Sequence, residues 1–103
     1  MTLEEIEQLV KSNEVVLFMK GTPQFPQCGF SQRAVAVLRA SGADDFVHRD
    51  VLEDDDLRQN IKEFSNWPTV PQLYIRGEFL GGSDIMMEMY QTGELKALLL
   101  EIK

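Results

Sequence analysis

Val15-Val16-Leu17-Phe18-Met19-Lys20-Gly21-Thr22-Pro23-Gln24-Phe25-Pro26-Gln27-Cys28 is the stretch that decides the fold. It opens on an unbroken apolar run of strand length, Val15 to Met19. Such a run suits a central strand with both faces covered. From Lys20 onward two prolines and a glycine break regular structure. The loop ends at Cys28, where the next helix begins. In an open α/β sheet a strand-to-helix junction lies at the carboxyl end of a strand, where ligands usually bind.

The flanking sequence supplies the other layers. Leu3, Ile6 and Val10 recur at helical spacing, and Thr2 with Glu5 completes a capping box ahead of them. From Cys28 to Ser41 the apolar positions Phe30, Ala34, Val37 and Leu38 describe an amphipathic helix that stops near Gly42. Phe46 to Val51 reads as a short strand. Asp54, Asp55 and Asp56 favour the positive end of a third helix, whose apolar face is Leu57, Ile61 and Phe64. Leu73 to Arg76 and Glu78 to Leu80 form a hairpin through Arg76-Gly77-Glu78. Ser83 and Asp84 offer cap chemistry for a helix through Tyr90. Gly93 ends that helix, and Glu94 to Ile102 makes a last one with Leu95, Leu98, Leu99 and Ile102 inward. The order α-β-α-β-α-β-β-α-α is an α/β fold. It predicts a mixed four-stranded sheet flanked by about five helices.

The 103 residues, 44% hydrophobic and 26% charged, predict one domain spanning 1–103. A net charge of -7 disfavours nucleic-acid binding, which needs clustered cations. No apolar run approaches a membrane span. The acidic start of the chain lacks the features of a signal or transit peptide, so a cytoplasmic location is expected, or the processed form of an organellar protein.

Cys28 is the only cysteine and His48 the only histidine. An internal disulfide and a four-cysteine zinc site are therefore excluded. A lone thiol fits a reducing compartment. At a helix N-terminus, unpaired N–H groups and the helix dipole favour the thiolate, and Lys20 adds positive charge. Ser31 stands three residues on, where a dithiol motif has its second cysteine. The alternative is an inert, buried cysteine. A second irregular loop, Trp67-Pro68-Thr69-Val70-Pro71, precedes a strand. Its Val70-Pro71 bond is a candidate cis bond, with the Val70 N–H and C=O available to an extended peptide; a simple turn is the other reading. Arg58 and Lys62 share a helix face, either as an anion site or as a solvated stripe. His48 is expected at the surface, the methionines Met86, Met87 and Met89 in packing, and Trp67 in a structural role.

Lys20-Gly21-Thr22-Pro23, Cys28-Gly29-Phe30-Ser31, Trp67-Pro68-Thr69-Val70-Pro71 and Gly81-Gly82-Ser83-Asp84 occur in that order. Together they resemble the monothiol glutaredoxins of the CGFS type, over about residues 3 to 101. The resemblance implies a thioredoxin-like fold. It also implies a labile [2Fe–2S] cluster bridging two subunits, each giving the Cys28 thiolate, with two glutathiones completing four thiolates. Glutathione contacts are implied at Lys20, Cys28, Phe30, Arg58, Thr69, Val70, Pro71, Gly82, Ser83 and Asp84. Lys20 and Arg58 would hold the glycine carboxylate, the Val70 backbone the cysteinyl part, and Ser83 and Asp84 the γ-glutamyl end. Ser83-Asp84 capping is compatible with that role. Many relatives carry a cysteine at the position of Ser83.

Three functions follow. The first is an iron–sulfur carrier serving client apoproteins, as a cluster-bridged homodimer or with a BolA-like protein. The second is a glutathione-dependent oxidoreductase. The third is an interaction module without redox chemistry, against which an accessible acidic thiol argues. The resemblance links the long Gly21 to Gln27 loop to poor reductase activity and so favours the first, with at most weak enzymatic activity.

Overall fold

The structure, a computed structural model, describes residues 1–102. The elements run α1 (Leu3–Ser12), β1 (Val15–Met19), α2 (Gly29–Ala40), β2 (Val47–Asp50), α3 (Asp55–Ser65), β3 (Gln72–Ile75), β4 (Glu78–Gly81), α4 (Ser83–Thr92) and α5 (Glu94–Leu100). The capping box at the start of α1 is formed: the Glu5 N–H donates to Thr2 Oγ1 at 3.1 Å, and the Thr2 N–H to Glu5 Oε1 at 2.9 Å.

The four strands order as β2-β1-β3-β4. β1 pairs parallel with β2, Val16 opposite Val47, and antiparallel with β3, Val15 opposite Ile75. β3 and β4 form a hairpin. Its two turn residues, Arg76 and Gly77, have φ of 54° and 82°. Positive φ at both positions is what a two-residue turn of type I′ requires.

β1 is buried along its whole length, as its apolar run implies. Its alternating side chains enter two separate cores. Val15, Leu17 and Met19 pack with Ala34, Val35 and Leu38 of α2, Met86 of α4 and Leu95 of α5. Val16 and Phe18 pack on the other face with Ile6 and Val10 of α1, Leu57 and Ile61 of α3, and Tyr74. Each fully buried large side chain here contributes about 1.5–3 kcal/mol. The sheet thus stands between an α1/α3 layer and an α2/α4/α5 layer. Among the described residues, no helix is long and apolar enough to cross a membrane.

Several boundaries differ from the sequence reading, β3 running Gln72–Ile75, β4 reaching Gly81 and α4 reaching Thr92. β2 begins at Val47, and Phe46 packs on the core just before it. α5 ends at Leu100, though Ile102 beyond it still packs inward. The cap of α4 is Gly82, not Ser83 or Asp84, and no side chain closes that helix end. Glycine reaches the extended cap conformation without a side chain, and the space beside it is narrow. A Cβ on Gly82 would sit 3.3 Å from the Pro71 carbonyl oxygen.

Candidate functional site

Cys28 is reached through a loop that hydrogen-bonds to itself. The Thr22 N–H donates to the Phe25 carbonyl at 3.2 Å, the Phe25 N–H to the Thr22 carbonyl at 3.0 Å, and the Gln27 N–H to the Lys20 carbonyl at 2.9 Å. Gly21 has φ of 88°, and a Cβ there would meet the Phe25 carbonyl oxygen at 2.5 Å, so only glycine fits. The Gly21 N–H donates to Asp50 Oδ1 at 2.8 Å, and the same oxygen accepts the Leu52 N–H at 2.9 Å. Asp50 therefore ties the loop to the end of β2.

Cys28 is the N-cap residue of α2, with φ of -157° and ψ of 138°. Its thiol is held below the ordinary value of 9.0. The largest cause is the backbone N–H of Ser31 aimed at the sulfur; partial burial opposes it, and the Phe30 N–H, the Lys20 charge and the Ser31 hydroxyl add to it. Ser31 is fully buried, and its Oγ accepts the Lys20 N–H at 3.0 Å. The single proton of that hydroxyl is thus left for the sulfur. Cys28 is only partly buried, which argues against the reading of a buried core cysteine.

The Val70-Pro71 bond is cis. Neither the N–H nor the C=O of Val70 has a partner among the described residues. The segment before it is held by side chains: the Trp67 N–H donates to Ser65 Oγ at 3.1 Å, and Gln72 Nε2 donates to the carbonyls of Trp67 and Thr69.

A groove of about 420 Å³ runs between these segments. It falls within the roughly 300–1,000 Å³ of small-molecule clefts. Lys20, Cys28, Phe30, Arg58, Thr69, Val70, Pro71, Gly82, Ser83 and Asp84 all line it, so the fold gathers every expected site residue in one place. Lys62, Trp67, Pro68 and Ile85 line it too. Lys62 lies four residues after Arg58 on α3 and shares its face. Trp67 serves both structure and groove, since its ring also packs on Phe79 with centroids 6.2 Å apart. Ile85 was not expected there; its place next to Asp84 in a helix start is the signal that could have found it.

The charges suit an anionic guest. Arg58 is exposed and makes no ion pair among the described residues. The acidic run beside it does not tie it down: Asp54 accepts the Leu57 N–H at 3.0 Å and the Met1 amine at 2.6 Å. At the far edge, the uncapped start of α4 offers backbone N–H groups, which favour a carboxylate. His48 lies outside the groove, half-buried on β2 against Phe46, and Met86 is core.

The family model for glutaredoxin matches residues 15–80. An uncharacterized monothiol glutaredoxin, ycf64-like, of Synechocystis is 56% identical over 98 residues, covering 95% of this chain and 91% of the relative. The chain belongs to the monothiol glutaredoxins. Its fold is the thioredoxin-like fold of that family. Reduced apo GrxS14 of poplar is similar in structure, with a TM-score of 0.80 and 51% identity, over 95% of this glutaredoxin and 89% of the poplar chain. A buckwheat glutaredoxin solved as its glutathione complex has a TM-score of 0.82 at 28% identity, over 96% of this chain and 87% of that one.

Proposed function

We propose that this glutaredoxin carries a labile [2Fe–2S] cluster as cargo, held by the Cys28 thiolate and by glutathione seated in the groove, and hands it to client apoproteins. The observation that carries this reading is the pairing of one accessible, acidified thiol with a cation-lined groove that offers an unpaired Val70 backbone. A [2Fe–2S] centre takes four thiolates, and this chain has one cysteine. Among the described residues no group of three or more His, Cys, Asp or Glu side chains could hold a metal ion. The remaining ligands must come from outside. Two chains and two glutathiones complete the set as a cluster-bridged homodimer, and a BolA-like protein could replace one of the chains. Lys20 and Arg58 would grip the glycine carboxylate, Val70 would pair with the cysteinyl backbone, and the start of α4 would receive the γ-glutamyl carboxylate, with the Asp84 side chain near its ammonium. We place this work in the cytoplasm, where thiols stay reduced.

The acidified thiol also supports a second reading, slow removal of glutathione from protein thiols. The Cys28 thiolate would attack the glutathione sulfur of a mixed disulfide, and the protein thiolate would leave. A second glutathione thiolate would then release Cys28 and form glutathione disulfide. Ser31 cannot act as a resolving thiol, so every turnover needs that second glutathione.

Anaerobic reconstitution with iron and sulfide, with and without glutathione, tests the main reading. Brown protein with sulfide-to-iron charge-transfer bands and one glutathione per chain is expected only when glutathione is present. A stable cluster free of low-molecular-weight thiol would refute the ligand set. Rapid steady-state turnover of a glutathione mixed disulfide, with no cluster formed, would favour the oxidoreductase.

A further inference from the structure

Gln72, the first residue of β3, is fully buried and polar. A buried carboxamide is costly unless its hydrogen-bonding groups are used. Here they are. Nε2 reaches the Thr69 carbonyl at 3.1 Å and the Trp67 carbonyl at 3.3 Å, and Oε1 faces the Tyr74 hydroxyl at 3.1 Å. Two carbonyls require the amide nitrogen on their side, which fixes the side chain's orientation. Tyr74 must then be the donor to Oε1. Burial pushes its pKa up to about 12, so it keeps that proton at neutral pH.

The Thr69 carbonyl and the Val70 N–H belong to one planar peptide unit and point in opposite directions. Holding the carbonyl toward the core therefore turns the N–H toward the groove. A hydrogen bond to the carbonyl also polarises the unit and strengthens its donor. We propose that Gln72 is a positioning residue: through the Thr69 carbonyl it aims and polarises the Val70 N–H for the bound thiol tripeptide. This rests on the reading of the groove as a glutathione site.

Glutathione binding is measured by calorimetry, and the Val70 amide is followed by NMR, in wild type, Gln72→Met and Tyr74→Phe. Methionine keeps the length and lacks the donors. Gln72→Met should weaken glutathione about five- to tenfold, the loss expected for one neutral hydrogen bond, and should shift the Val70 amide in the ligand-free protein. Tyr74→Phe, which frees the Gln72 anchor without removing it, should weaken binding by a smaller factor in the same direction. The pH profile of Cys28 alkylation by iodoacetamide should stay unchanged in both, because the thiol is acidified by groups on α2 and by Lys20. Leu95→Ala, which loosens the core at α5, should retain wild-type affinity. A folded Gln72→Met that binds glutathione like wild type would overturn the proposal. Should Gln72→Met fail to fold, wild-type affinity in Tyr74→Phe would overturn it. Failure of the wild type to bind glutathione would overturn the functional reading instead; a Val70 amide unmoved by Gln72→Met or Tyr74→Phe would then overturn the positioning role separately.

Discussion

The two loops that border the groove are built in opposite ways. Lys20 to Gln27 is closed by its own backbone, with Thr22, Phe25, Gln27 and Lys20 exchanging main-chain hydrogen bonds. Trp67 to Pro71 has one main-chain bond, from the Trp67 N–H to the Lys62 carbonyl, and otherwise hangs on the side chains of Ser65 and Gln72. The first loop presents a side chain, the Cys28 thiol. The second presents its backbone, the N–H and C=O of Val70. Each loop is scaffolded mainly by the groups it does not offer to a ligand: backbone in the first, side chains in the second.

The largest expected effect lies on the side-chain loop. Cys28→Ser should abolish cluster assembly and the associated dimer, read as loss of the charge-transfer bands after anaerobic reconstitution. A variant that still gave them would break the assignment of that loop's offered group. Next is the scaffold itself. Gly21→Val places a Cβ against the Phe25 carbonyl at a φ that branched residues avoid, and should cost about 3 kcal/mol or more, seen in the urea midpoint. The third effect lies outside both loops and isolates the ligand. A charge-assisted hydrogen bond contributes about 1.5–3 kcal/mol, so Arg58→Ala should raise the glutathione needed for assembly by roughly tenfold to a hundredfold. Arg58→Lys should recover part of it, and the apo melting temperature should barely move. Overlapping titration curves would mean that Arg58 serves only α3.

The smallest effect is in pH. Cys28 alkylation should rise as pH climbs through the lowered thiol pKa, and level off at lower pH than for a free cysteine. Lys20→Gln should move that curve slightly back up, since the Ser31 N–H does more than the lysine charge. The same shift has a stability sign. A thiol more acidic in the folded state adds stability that is complete above the unfolded thiol's pKa, and it is lost as pH falls through the folded value. A curve that matches free cysteine would show that the first loop supplies position without acidity.

Features written into neighbouring residues were legible in the sequence. Thr2 with Glu5, the run Val15 to Met19 and the Arg76-Gly77 turn each carry their own geometry, and all three formed as read. Cys28 at a helix start and the cis bond at Pro71 were legible for the same reason, and the family motifs located the rest of the expected groove residues. Ser83 and Asp84 were misread as caps because cap propensity ranks residue types and says nothing of the Pro71 carbonyl that crowds Gly82. The second role of Trp67 became visible only once the loop before β3 met the start of α4. Gln72 was missed because a polar residue at a strand start reads as exposed. Its burial follows from carbonyls earlier in the chain that turn inward to meet it.

The sheet that keeps the two cores apart also divides the groove's supports. Cys28 and the start of α4 ride on the layer of Ala34, Leu38 and Met86, whereas Arg58 and Lys62 ride on the layer of Leu57 and Ile61. Repacking beneath α3 can therefore move Arg58 and Lys62 while Cys28 stays where α2 holds it, and Lys20 is the groove cation that reaches the thiol from outside α3.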